Sequence, residues 1–142
     1  MKDKFIKFLV LVPGLIMLSN AIMFVLRPAD VAGDLGMPLL EGIGLSTQLA
    51  DLGAFFTFSA LLIFYGVIYS KGEYLRITAL LLGLAAILRV IAWGVNGAAF
   101  ATELIVAEIV LVIWLLAGAV YLDKLKNLNG MNLVVVMLEM LY

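Results

Sequence analysis

Four uninterrupted apolar stretches, near residues 5–26, 48–69, 75–95 and 102–122, constrain this chain more than any motif. Each is long enough to cross a bilayer, since about 20 helical residues cover about 30 Å of hydrocarbon. Lipid permits only helices or closed barrels, because every backbone N–H and C=O must find a partner inside the structure. These runs lack the polar/apolar alternation of a barrel strand, so they are expected to be helices. The fold expected is all-α: a four-transmembrane-helix bundle over residues 1–126, followed by an apolar tail at 127–142. Composition agrees, because a soluble domain of 142 residues could not bury a chain that is 65% hydrophobic and 13% charged.

The first stretch admits a rival reading. Lys2, Lys4 and Lys7 precede an apolar run reaching Ser19, Asn20 and Ala21, the pattern of a signal peptide with a small-residue cleavage site. The run continues through 22–26, which opposes cleavage and favours a retained span. Loop charges give the orientation. Lys2, Lys4, Lys7, Lys71, Arg76, Lys124 and Lys126 fall on one side of a four-span chain, and Arg27 falls opposite among Asp30, Asp34, Glu41 and Glu103. Positive residues mark the cytoplasmic side, so both termini are expected there. Tyr69, Tyr74 and Tyr121 then lie near the inner interface and Trp93 near the outer one.

The connection at 27–47 becomes a long first outer loop, interrupted by Pro28, Gly33, Gly36, Pro38, Gly42 and Gly44. Within it, 29–35 suits a short interfacial helix, since Pro28 can open one and Gly36 can close one. Lys71, Gly72 and Glu73 read as a tight second turn, and Asn96 followed by Gly97 as a third.

Absent residue types exclude much chemistry. Without Cys there are no disulfides, thiolate metal sites or thiol nucleophiles. Without His the commonest transition-metal ligand and acid–base residue is missing, as is the usual ligand to a haem. No cofactor is expected, and any metal would have to be a hard cation on oxygen ligands. A net charge of −1 with no basic stripe gives nucleic acid no footprint. The Gly42, Ile43, Gly44 run lacks the Lys and Ser/Thr of a phosphate loop.

The candidate site is a polar layer. Asn20, Arg89 and Glu108 each lie six residues inside the outer end of a span, about 9 Å deep, and Asp51 lies roughly 5 Å deep. Charges inside a bilayer are costly and mark functional positions by default. Arg89 stays charged and therefore requires a carboxylate, with Glu108 the best match in depth and Asp51 second. Ala79, Gly83, Ala85 and Ala86 put small residues beside Arg89, a face suited to close helix approach. The carboxylate that Arg89 does not take is left to hold a cation or a basic ligand. Asp51, Glu108, Phe55 and Trp93 are the candidate ligand-binding residues, with no catalytic set among them. The same layer can also serve only to fix helix register. Pro13 and Gly14 are expected to kink the first helix.

Pro28, then Leu35 with Gly36, Gly53, Gly66, Arg89, Asn96 with Gly97 and finally Glu108 form an order that resembles small bacterial four-helix membrane proteins near the DoxX-like families. The most specific part is an Arg in the third helix, a polar-Gly turn and a Glu in the fourth. The resemblance covers the chain to about Leu122. It implies four membrane helices in a bacterial cytoplasmic membrane and adds little chemistry. Some DoxX-like proteins are linked to quinone-coupled sulfur oxidation, but no residue here carries that over. Small multidrug transporters have a similar length and span count, yet rely on a carboxylate in the first helix, where this chain has Asn20.

Two functions follow as expectations. One is an accessory subunit of a larger membrane assembly, with a protein partner or a second copy contacted through the helices and the apolar residues 131–142. The other is a small carrier or binder of an apolar or cationic ligand at the carboxylate/Arg cluster. An enzyme using Glu108 or Asp51 as acid–base residue lacks any recognisable nucleophile–base pair.

Overall fold

The computed structural model describes the backbone of residues 2–139 and the side chains of residues 3–128. Helix α1 spans Lys2–Leu26, α2 Pro28–Asp34, α3 Gly42–Ile68, α4 Gly72–Asn96 and α5 Thr102–Glu139. No strand occurs among the described residues. Four of these helices are long and apolar enough to cross a membrane, over Asp3–Leu26, Gly42–Ile68, Gly72–Asn96 and Thr102–Leu128. The short helix anticipated within 29–35 is α2. Pro28 opens it, where the missing N–H is no loss, and Gly36 follows it at φ 72°.

Two boundaries differ from the sequence expectation. Helix α3 begins at Gly42 rather than near Gln48; Gly42 opens it at φ 56°, a left-handed conformation that glycine adopts without the steric cost of a Cβ. Helix α5 continues to Glu139, well past Leu122. Gly130 is the one breaker in that continuation, and a single glycine costs only about 1 kcal/mol relative to Ala. The expected partner contact through 131–142 lies outside the described side chains. Helix α1 is unbroken across Pro13.

Around the bundle the neighbours are α1, α3, α4 and α5 in turn, with α1–α3 and α4–α5 the extensively packed pairs. Lipid supplies no hydrophobic drive between spans, so their association depends on close van der Waals contact over small residues. Gly14 admits Phe64 and Ile63 of α3 against α1, and Gly66 admits Leu75 of α4 against α3. Gly118 of α5 meets Val10 of α1 and Leu75 of α4. The interior is filled by Val10, Met17, Ile63, Leu75, Leu82, Leu115 and Leu122. Phe5, Ile22, Leu61, Leu80, Leu88, Val106 and Ile113 point outward, the surface a bilayer would cover.

The two ends are finished differently. At the end bearing the N-terminus, Asp123 accepts from the Gly72 N–H at 3.2 Å and from Arg76 Nη2 at 2.6 Å, capping the start of α4 from α5. Tyr121 Oη donates to Asp3 Oδ1 at 2.6 Å, and Lys7 Nζ donates to Ser70 Oγ at 2.7 Å. At the other end α2 folds back, burying Val31 and Ala32 against Phe24. Gln48 holds the chain that follows α2. Its Oε1 accepts from the Leu40 N–H at 3.0 Å, and its Nε2 donates to the Pro38 carbonyl at 3.1 Å.

Candidate functional site

At the α2 end the four long helices enclose a cavity of about 370 Å³, within the range of small-molecule sites. Each helix contributes along a helical face: Met17 and Asn20 from α1, Leu52, Phe55 and Phe56 from α3, Leu82, Ala85 and Arg89 from α4, and Leu104, Glu108 and Leu111 from α5. Leu35 and Met37, from the chain after α2, close one end. The wall is apolar except for Asn20, Arg89 and Glu108.

Arg89 Nε donates to Glu108 Oε1 at 2.9 Å, joining the neighbouring helices α4 and α5. Helical direction explains the meeting. The two helices are antiparallel across the short turn begun by Gly97 in the left-handed region at φ 69°, so residues near the end of one face those near the start of the other. The Glu108 side chain is only 11% exposed, whereas the Arg89 side chain is 31% exposed. A guanidinium commonly grips a carboxylate through two parallel N–H···O bonds. Here one bond forms, through Nε. Glu108 Oε2 is buried without a hydrogen-bond partner. Leaving such an acceptor unsatisfied costs about 1–3 kcal/mol, more when it is charged.

Of the residues singled out from sequence, Asn20, Phe55, Arg89 and Glu108 share this cavity. Asp51 does not join them. It is exposed on α3 and lines a separate groove of about 530 Å³ with Met37, Pro38 and Gln48. One residue turns the helix by about 100°, so Leu52 reaches both the cavity and the groove while Asp51 lines the groove alone. Trp93 is 51% exposed and packs edge-to-face with Phe100 at 5.2 Å, away from the cavity. Phe55 stacks edge-to-face on Phe56 at 5.4 Å.

Met17, Leu82, Leu104 and Leu111 are among the wall residues that polar depth alone misses. All lie three, four or seven positions from Asn20, Arg89 or Glu108, so stepping along the helix from each polar residue would have found them. Leu35 and Met37 carry no such signal. Among the described residues no three His, Cys, Asp or Glu side chains converge on a metal position. The cavity instead offers a free carboxylate oxygen beside guanidinium N–H groups at one end of an apolar chamber.

Set against family models, curated proteins and solved structures, the chain matches none.

Proposed function

We propose that this chain is a small integral membrane protein that binds an amphipathic ligand in the cavity between α1, α3, α4 and α5. The observation that carries this reading is the Glu108 Oε2 atom, buried in the cavity wall with no partner. A ligand donor would satisfy it, while Phe55, Phe56, Leu52 and Leu111 would hold an apolar body. Of the two functions open from sequence, this geometry favours the binder. No nucleophile or acid–base pair is needed for binding alone. The DoxX-like resemblance remains part of the proposal and adds no residue role to it.

Native mass spectrometry from a bilayer tests the reading. The wild type should carry a bound small mass that Ala85→Phe, which fills the cavity, has lost. Equal masses, together with equal melting of both proteins with and without native lipid extract, would sink it.

The orientation proposed places the α2 end outside and both termini in the cytoplasm of a bacterial cell, supported by the seven Lys and Arg residues on one side. Cysteines at Gly33 and Ala98 should label from outside and one at Glu73 should not. Labelling at Glu73 alone would invert it.

A second reading, an accessory subunit of a larger assembly or a homo-oligomer, draws on the length of α5. Asp123 marks the level at which α4 begins. From there α5 runs on to Glu139, about 24 Å farther. That continuation outruns α4 and leaves room for another chain beside it.

A further inference from the structure

The cavity opens sideways, and where it opens says what class of ligand reaches it. Its lining residues are buried or half-buried with two exceptions, Ile16 on α1 and Ala107 on α5, both exposed. These two flank the seam between the first and last helices. Nearer the other end that seam is shut, by Val10 against Gly118 and by the Tyr121–Asp3 hydrogen bond. Ile16 and Ala107 stand about 15 Å and about 8 Å along from the nearer helix ends, which puts the opening at the depth of lipid chains rather than at a water-facing mouth.

Charge narrows the class further. Arg89 and Glu108 already neutralise each other across 2.9 Å. A cationic ligand at Oε2 would lie against the guanidinium, and an anionic one would compete with Glu108 while facing its carboxylate. In a poorly screened interior each leaves a net charge that the site does not offset. A hydroxyl adds no charge and is both donor and acceptor. It can donate to Glu108 Oε2 and accept from a guanidinium N–H that the Nε–Oε1 bond leaves unused.

We infer that the cavity takes an uncharged, hydroxyl-headed amphiphile directly from the bilayer, which passes between α1 and α5 and sets its hydroxyl on Glu108 Oε2. This rests on the binding function proposed above and names its ligand class and route.

Three photoreactive probes that share one diazirine-bearing decyl chain separate the possibilities: decanol, decyl sulfate and decylammonium. Each is added to the full chain in phosphatidylcholine nanodiscs, and crosslinks are mapped by mass spectrometry. Decanol should label the cavity walls around Met17, Phe55 and Leu111 in preference to the charged probes. Glu108→Gln, which removes the charge and leaves one acceptor oxygen for both the Arg89 Nε–H and the ligand, should weaken that labelling about tenfold, the scale of one buried hydrogen bond to a charged group. Ala107→Phe keeps the ion pair but narrows the seam, so it should slow the onset of decanol labelling, followed by flash photolysis at set times after mixing, in a protein of unchanged melting temperature. Stronger cavity labelling by decyl sulfate or decylammonium overturns the uncharged class and leaves the binding function standing. Labelling of Ala107→Phe at the wild-type rate overturns the lateral route. Cavity labelling by none of the three overturns the inference and the binding function together.

Discussion

Arg89 and Glu108 show how asymmetric a partly buried ion pair is. Removing one partner leaves the other charged in a place it could not occupy alone. Removing both leaves only a change of shape. Replacing Arg89 by Leu should therefore cost about 3 kcal/mol, the lower end for a buried pair, because the arginine side is partly exposed. The double variant Arg89→Leu with Glu108→Leu should recover most of that loss. Denaturant unfolding in lipid nanodiscs measures both, and equal destabilisation of single and double variants would show that the pair contributes shape alone. The pairing could be seen in sequence because both residues lie equally far from their helix ends. Asp51 lies outside the cluster for the complementary reason. Distance along an axis is read by counting, but the direction around it depends on how the helix is seated, and of the two residues only Leu52 reaches the cavity.

At the scale of elements, glycines fix which helices approach closely. A Cβ placed on Gly72 would meet the Ala119 carbonyl oxygen at 2.5 Å and Asp123 Oδ1 at 2.6 Å. Backbone cannot swing aside as a side chain can, and the intruding methyl would also disturb the carboxylate that caps α4. Gly72→Ala should lose about 1–3 kcal/mol of stability. Gly33 lies in a helix with nothing within 4 Å of its added Cβ, so Gly33→Ala should hold stability or raise it by up to about 1 kcal/mol. Equal melting of the two variants in detergent would contradict the contact assigned to Gly72. The four long helices were legible from unbroken apolar length, and α2 from Pro28 and Gly36. The start of α3 and the end of α5 were not legible. Gly42 and Gly44 sit where a helix tolerates glycine, and Gly130 alone is too weak a breaker to stop a helix.

For the whole molecule, the length of α5 carries its own prediction. Truncation after Leu128 retains the full candidate span at Thr102–Leu128 and every side chain described here. The shortened protein should melt at the wild-type temperature while its assembly in mild detergent becomes smaller, as size-exclusion chromatography with light scattering would show. An unchanged assembly mass would remove the accessory-subunit reading and leave the cavity as the main clue to function. The cavity was only partly legible in advance. Its polar end could be inferred from three residues at one depth, but its closed end comes from Leu35 and Met37, just before Pro38 and Leu40, whose backbone the Gln48 side chain holds from another element.

The order of packing around the bundle bears on biogenesis. The extensive pairs, α1–α3 and α4–α5, are each near neighbours along the chain, and each can form as a hairpin soon after synthesis. Of the four neighbouring pairs, α1 and α5 share the slightest packing, and they stand farthest apart along the chain of these four spans. Ring closure needs α5 in place, as does the α4–α5 hairpin. The cavity therefore borders the least-packed joint of the bundle, which can part without either hairpin coming apart.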